Sequence, residues 1–299
     1  MNEFQQFALY PLRTPNSSLR TFFQRNSMGG LTKKKIWTGV LVAPPLVALI
    51  GLGPPLILSL MVLLATLLGL REFYCLTLPR SNSVVHMTGI GLGLFLSAVI
   101  SYGSAQIAYP FFVFLLLLLF LVFMGTSENL LLSTPGVGIM FLGTFYIGFL
   151  LSHVSLLGQL ADGTLWVLFL IATVWAGDVF AFLCGSLFGR HKLYPKISPN
   201  KTYEGLVGAI FGPSLVAFIF AFLFLPRLGK GVSILLGVSM GILGQFGDFT
   251  ESMLKRSAQV KDSGSFIPGH GGMLDRLDSF LFSAPFLYYS LLHLLKEAR

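Results

Sequence analysis

The sequence predicts an all-α fold, a polytopic bundle of about nine transmembrane helices with a polar cleft on its cytoplasmic side. Of its 299 residues, 54% are hydrophobic and only 11% are charged, which is too apolar for an ordinary water-soluble surface. Runs such as residues 111–124 and 206–225 contain no ionisable side chain. Each approaches the length of a helix that crosses a hydrocarbon core of about 30 Å. The runs are unbroken rather than alternating, which excludes the strands of a membrane β-barrel.

Nine apolar segments are candidate spans, with bounds that such patterns place to within a few residues. They lie at residues 36–52, 54–70, 85–101, 107–124, 137–157, 165–188, 205–225, 232–249 and 279–295. Residues 51–55 fit either a tight turn between the first two spans or a break within a re-entrant hairpin. The chain thus divides into a polar arm (1–35), five N-terminal helices (36–157) and a C-terminal transmembrane region (158–299) with polar loops at 189–204 and 250–277.

The distribution of basic residues predicts the orientation of the bundle. Sixteen of the twenty Lys and Arg residues lie on the same side as the N-terminal arm, and both polar loops lie on that side too. By the positive-inside rule, this side faces the cytoplasm. We expect an integral multi-pass protein of a bacterial inner (cell) membrane. The net charge of +8 is scattered between apolar spans rather than gathered in one patch, so no nucleic-acid partner is expected.

The longest polar stretch, residues 247–279, combines acids, bases and a glycine-rich turn. If the eighth helix continues into this stretch, four polar side chains fall on one stripe at steps of four, three and four residues. They are Asp248, Ser252, Lys255 and Gln259. After the turn, Asp275 and Asp278 are three residues apart and therefore neighbours on the next helix. Three carboxylates would then converge near the level of the lipid headgroups.

These residue types suit the binding of a phosphate and a divalent cation. Carboxylates bind hard cations such as Mg²⁺, which in proteins commonly use one or two acidic ligands together with phosphate oxygens of the substrate. The remaining phosphate charge would be held by Lys255, Arg256, Lys261 and Arg276. Glycines such as Gly271 let backbone N–H groups approach an anion. His270 would contact phosphate, transfer a proton or stabilise the turn.

An alternative interpretation treats this stretch as a solvated loop whose acids satisfy a helix dipole. Asp248 favours the functional interpretation instead. It lies at the edge of an otherwise uncharged span, where an ionisable side chain is energetically costly. Asp178, within an apolar helix, is either a ligand or orienting residue of a metal site or a hydrogen-bond partner of a neighbouring helix. Ser198 and Lys201 would meet a nucleotide, although Ser198 or Thr202 would also serve as a helix cap.

Residues 252–278 resemble the signature of the CTP:phosphatidate cytidylyltransferases, also called CDP-diacylglycerol synthases. The signature has the form Ser-x-x-Lys-Arg, four residues, Lys-Asp, then Pro-Gly-His-Gly-Gly-x-x-Asp-Arg-x-Asp, and every fixed position is filled. Residues 198–205 are also similar to a family segment. The N-terminal half is similar only in its apolar spans. Asp178 is followed by Val179 and Phe180, where family members commonly carry a small polar residue and glycine, so its role is less firmly implied.

The resemblance implies a Mg²⁺-dependent nucleotidyltransferase of phospholipid biosynthesis that converts CTP and phosphatidate into CDP-diacylglycerol and pyrophosphate. Its catalytic residues would be Asp248, Lys255, Asp275 and Asp278. The metal ligands would be Asp248, Asp275 and Asp278, with Asp178 as a further candidate and room for a second cation. The substrate-binding residues would be Ser198, Lys201, Ser252, Lys255, Arg256, Lys261, His270, Gly271 and Arg276. A homodimer is suggested by the resemblance alone.

Three other functions remain open from the residues themselves. A transporter for an anionic solute would also place charges beside broken helices, although its site would lie near the midplane of several spans. A lipid kinase or a glycosyl-1-phosphate transferase would use similar carboxylates and Mg²⁺. No Walker sequence supports ATP hydrolysis.

Overall fold

The computed structural model describes residues 44–79, 81–102, 105–126, 130–264 and 271–297. The chain divides into two compact units, Met1–Pro45 and Leu46–Arg299, and the elements named below belong to the second. The predicted N-terminal arm and residues 36–43 of the first predicted span lie outside the described residues.

The second unit is built almost entirely of helices. Residues 46–52 are helical. The later helices are α1 (Pro55–Thr77), α2 (Ser83–Tyr102), α3 (Ala105–Thr126), α4 (Leu130–Gly143), a π-helical segment (Thr144–Phe149), α5 (Leu150–Gly158), α6 (Gly163–Phe188), α7 (Tyr203–Phe224), α8 (Lys230–Ser257) and α9 (Leu274–Glu297). Among the described residues, six helical segments are long and apolar enough to cross a membrane. The structure therefore supports a helical, membrane-spanning protein, while the count of nine spans stays a prediction.

The helix ends follow local sequence signals. Pro55 occupies the first turn of α1, where a missing backbone N–H costs nothing, and residues 53–54 separate α1 from the preceding helix. The break therefore lies within residues 51–55, and both alternatives for this segment stay predictions. Thr202 caps α7, since its Oγ1 accepts a hydrogen bond from Gly205 N at 3.1 Å. Thr202, rather than Ser198, is the cap.

The predicted loop 189–204 contains a short β-hairpin that the all-α prediction missed. Strand β1 (Lys192–Tyr194) pairs antiparallel with β2 (Ser198–Thr202), and Tyr194 lies opposite Ser198. Ile197 N donates to Tyr194 O at 3.2 Å and closes the turn around Pro195. Strands of three and five residues with charged positions show no clear alternation, so the pattern could not reveal them.

The eighth predicted helix does continue into the polar stretch, but it ends earlier than expected. Helix α8 ends at Ser257, and Gln259 adopts a left-handed backbone with φ +60°. Asp248, Ser252 and Lys255 therefore share a helical stripe as predicted. The placement of Gln259 on that stripe is wrong, because the residue lies beyond the last helical turn.

Two apolar clusters form the core. The first joins α1 to α5 with the start of α9, around Leu70, Phe73, Tyr74, Leu96, Leu115 and Leu277. The second joins α6, α7 and α8 with the rest of α9, around Phe169, Leu170, Ala217, Met240 and Leu287. Helix α9 contributes to both clusters, and its N-terminal end packs into the first. The carboxylates of the polar stretch lie at this end.

Candidate active site

One cavity brings together all four catalytic residues predicted from the sequence, along with Asp178 and Lys201. Its volume is about 390 Å³, and its walls come from α6, the hairpin, α7, α8 and α9. The ionisable side chains that line it are Asp178, Lys201, Asp248, Glu251, Lys255, Asp275 and Asp278. The two polar segments that are far apart in the sequence thus meet at a single site. Asn200, Thr202 and Gln245 add neutral polar groups to the walls.

Three carboxylates on three different helices repel one another in this cavity. Asp278 interacts electrostatically with Asp248 and Asp178. Asp248 Oδ2 pairs with Lys201 Nζ at 2.7 Å. Asp278 Oδ1 accepts a hydrogen bond from its neighbour Ser279 N at 2.6 Å. Like charges in a half-buried cavity are unfavourable unless a cation joins them, so the arrangement suits a cation-binding site.

The donor set fits a hard divalent cation, although it is not a closed cage. Within the described ranges, no three histidine, cysteine or acidic side chains lie close enough together to hold one ion. Mg²⁺ does not require such a cage, because it keeps several waters and takes substrate phosphate oxygens beside one or two protein carboxylates. Asp178, Asp248 and Asp278 offer carboxylate oxygens of this kind to the cavity.

Lys255 lies between two carboxylates at the inner end of the same cavity. Its Nζ contacts Glu251 Oε2 and lies 2.5 Å from Asp275 Oδ1. The side chains of Lys255 and Glu251 are only 12% and 1% exposed. Two acids thus hold the ammonium group of Lys255 in one position on the cavity wall.

Asp275 is tied down more firmly than the other carboxylates. Its Oδ2 accepts hydrogen bonds from Gly272 N at 2.8 Å, Ser263 Oγ at 3.1 Å and Ser263 N at 3.2 Å. Burial alone would raise the pKa of Asp275, but its bonds with Glu251, Lys255 and Gly272 outweigh burial and hold the pKa below the ordinary value. Both oxygens already have partners, so its predicted role as a metal ligand stays a prediction.

Several predicted substrate-binding residues lie outside the cavity walls. Arg256 Nε donates to Ile197 O at 3.0 Å, and its Nη1 donates to Val260 O at 3.4 Å, so this arginine fastens the hairpin to the end of α8. Ser252 Oγ donates to Asp248 Oδ1 at 3.4 Å. Three further residues, Ser198, Lys261 and Arg276, do not line the cavity.

The glycine-rich turn is described only in part. Gly271 has φ +81°, a backbone conformation that favours glycine. An added Cβ there would lie 2.7 Å from Asp275 Oδ2, so the turn is packed tightly against this carboxylate. His270 lies outside the described residues. The roles predicted for these two residues stay predictions.

Three residues at the site were given no role from the sequence. Glu251 lies one turn before Lys255, and an acid four residues before a lysine on a helix is a recognisable pairing signal. Glu72 ends an apolar span, where a carboxylate is unusual. Ser263 carried no signal, because its importance depends on contacts with residues that are distant in the sequence.

Helices α8 and α9 approach so closely at the site that only glycine fits. A Cβ on Gly247 would lie 2.1 Å from the backbone oxygen of Asp278. The Gly247→Ala substitution should push α9 away, lower the melting temperature and reduce activity at least about tenfold, because Asp278 moves relative to Asp248. Thermal unfolding in detergent and turnover measure the two effects. Gly91→Ala is the matched control, since its Cβ would meet nothing within 4 Å, and equal behaviour of the two variants would contradict the prediction.

Comparisons with known proteins agree with the family resemblance of residues 252–278. The model of the cytidylyltransferase family matches residues 33–294. The phosphatidate cytidylyltransferase of Bacillus subtilis (strain 168) is 33% identical over 265 residues, which are 87% of this chain and 97% of that one. The phosphatidate cytidylyltransferase of Staphylococcus aureus (strain COL) is 46% identical over 129 residues, which are 42% of this chain and 49% of that one.

A relative without an assigned activity also aligns along most of the chain. This uncharacterized protein YnbB of Escherichia coli (strain K12) is 33% identical over 260 residues, which are 85% of each chain. The family match covers the apolar N-terminal helices as well as the two polar segments. The chain therefore belongs to the cytidylyltransferase family.

Proposed function

We propose that this protein transfers the cytidylyl group of CTP to phosphatidate, giving CDP-diacylglycerol and pyrophosphate, with Mg²⁺ as the cofactor. The observation that carries the proposal is the cavity in which carboxylates from three helices face Lys201 and Lys255. The B. subtilis and S. aureus relatives bear the name of this activity. The distribution of Lys and Arg supports an active site on the cytoplasmic face of a bacterial inner membrane.

The reaction needs little acid-base chemistry from the protein. A phosphate oxygen of phosphatidate forms a bond to the α-phosphorus of CTP, and the bond between that phosphorus and the α–β bridging oxygen breaks as pyrophosphate leaves. A phosphate monoester is largely a dianion near neutral pH, so no general base has to remove a proton from it. The protein must instead bring two polyanions together and align them.

Each set of side chains has a separate part in that task. Asp248 and Asp278 would hold Mg²⁺, which when bound neutralises phosphate charge and stabilises the leaving group. Lys255, fixed between Glu251 and Asp275, presents a positive charge to a phosphate. Lys201 would exchange its contact with Asp248 for one with the nucleotide. Asp275 would orient Lys255 rather than contact substrate directly.

The position of the cavity suits a substrate with a polar head and two acyl chains. Large apolar side chains such as Phe182 and Val207 are 66% and 67% exposed on α6 and α7, the helices that also line the cavity. Such surfaces are compatible with lipid chains. A diacyl tail could therefore stay in the bilayer while the phosphate enters the cavity and CTP arrives from water.

A nucleotide-choice assay tests the proposal. The purified protein is supplied with radiolabelled CTP, UTP, ATP or a UDP-sugar, together with phosphatidate or polyprenyl phosphate and Mg²⁺. We expect a labelled liponucleotide only with CTP and phosphatidate. Transfer of the γ-phosphate of ATP would indicate a lipid kinase, and reaction of polyprenyl phosphate with a sugar nucleotide would indicate a glycosyl-1-phosphate transferase. Uptake of an anionic solute into sealed vesicles without nucleotide would indicate a transporter, and any of these three results would overturn the proposal.

A further inference from the structure

Glu72, near the end of α1, reaches across the bundle to the start of α9. Its Oε1 accepts a hydrogen bond from Met273 N at 2.8 Å, and its Oε2 accepts one from Leu274 N at 2.8 Å. Oε2 also accepts a bond from Ser263 Oγ at 3.2 Å. One carboxylate thus binds two backbone groups and one hydroxyl that lie about 190 to 200 residues further along the chain.

The two glycines beside this carboxylate have no room for a side chain. An added Cβ on Gly264 would lie 2.6 Å from Glu72 Oε1, and one on Gly272 would lie 2.4 Å from Glu72 Oε2. The backbone on both sides of residues 265–270 is therefore packed against the same carboxylate. Glu72 joins these two stretches of backbone, between which the glycine-rich turn lies.

The contacts continue from Glu72 to the cavity. The hydroxyl of Ser263 has a single proton and lies within reach of both Glu72 Oε2 and Asp275 Oδ2. While it donates to Glu72, Ser263 N donates to Asp275 Oδ2 at 3.2 Å, so this residue bridges the two carboxylates. Asp275 in turn holds Lys255 through its other oxygen at 2.5 Å. An unbroken series of hydrogen bonds therefore connects the N-terminal half of the protein to the lysine proposed to bind phosphate.

Electrostatics favour a carboxylate at this position. The first N–H groups of a helix have no partner within the helix, and the helix dipole attracts negative charge to that end. Usually a residue next to the helix start satisfies these groups. Here Glu72 supplies the acceptor from α1, so the start of α9 is fixed to a distant helix as well as to its own loop.

We propose that Glu72 is a positioning residue for nucleotide binding, acting through Ser263 and Asp275 on Lys255 and on the backbone that flanks the glycine-rich turn. The inference rests on the proposed cytidylyltransferase function. It adds a requirement on the N-terminal helices, which otherwise contribute apolar packing. A carboxylate that served packing alone would stabilise the protein without altering its affinity for nucleotide.

The test compares Glu72→Gln with Arg71→Gln, which neutralises the exposed neighbouring residue. Glutamine keeps the shape, but its NH₂ group cannot accept from Leu274 N or Ser263 Oγ. We expect Glu72→Gln to raise the KM for CTP about tenfold and to leave the KM for phosphatidate within about twofold. Ser263→Ala should raise the KM for CTP in the same direction by a smaller factor, and Arg71→Gln should match the unmodified protein.

Hydrogen exchange provides a readout that does not depend on turnover. The amides of Met273 and Leu274 should exchange at least about tenfold faster in Glu72→Gln than in Arg71→Gln. If Glu72→Gln has an unchanged KM for CTP, the positioning role is refuted. That conclusion holds even if a smaller fraction of the purified variant is active. If the unmodified protein does not use CTP, the proposed function fails instead, and unchanged amide exchange would then show separately that Glu72 does not hold the start of α9.

Discussion

Replacement of Asp248 by asparagine is expected to lower turnover of CTP and phosphatidate by at least about 10³-fold, because the amide supplies less negative charge to a cation. The variant should remain folded. The contact between Asp248 and Lys201 is partly exposed, with side-chain exposures of 31% and 17%, and such pairs contribute little to stability. The measurement is turnover of radiolabelled CTP at saturating Mg²⁺, alongside a melting curve in detergent.

Asp162→Asn is the matched control for this substitution. It makes the same chemical change at an exposed aspartate with φ +57°, a conformation that asparagine tolerates. Asp162 does not line the cavity, so this variant should keep full activity. Full activity of Asp248→Asn would refute the assignment of this carboxylate to the metal site.

Replacement of Lys255 by methionine should damage both activity and stability. The substitution leaves Glu251 and Asp275 facing each other without the ammonium group that lies between them. Removing one partner of a buried ion pair typically costs about 3 to 5 kcal/mol. We expect a clear fall in melting temperature and a loss of at least about 10²-fold in kcat/KM for CTP.

Two further variants serve as comparisons for Lys255→Met. Lys255→Arg keeps the positive charge and should retain more stability than Lys255→Met, although a planar guanidinium will not reproduce the position of the ammonium group. Lys230→Met, at the opposite end of α8, removes a lysine outside the cavity and should leave activity unchanged. Equal melting temperatures for Lys255→Met and Lys230→Met would contradict the predicted role of the buried ion pair.

The features that could be predicted from the sequence depend on residues that lie close together in the chain. Long apolar runs locate the helices because each must fill a fixed membrane thickness. The shared face of Asp248 and Lys255 follows from their seven-residue separation on one helix. An acid at the edge of an apolar span indicates a functional position, and the structure places Asp248 on the wall of the cavity.

Contacts between distant segments could not be found in this way. The roles of Glu72 and Ser263 arise only when α1 packs beside the start of α9, and no spacing in the sequence records that approach. Asp275 is a second example, because a metal ion would compete with the protein's own hydrogen-bond donors for its oxygens. Its position on α9 suggested a metal ligand, whereas hydrogen bonds from the Ser263 and Gly272 backbone occupy one of its oxygens. The β-hairpin was missed because it is too short to show a period.

The hairpin is attached to α8 at two points that differ in kind. Lys201 contacts Asp248 and lies 3.9 Å from the centre of the Phe249 ring, whereas Arg256 donates to the backbone oxygen of Ile197 at the turn. An incoming polyphosphate competes only for the first attachment, because the second lies outside the cavity. The Lys201 side chain can therefore leave Asp248 for a phosphate while Arg256 keeps the hairpin beside α8, and this wall of the cavity does not have to reassemble for the next nucleotide.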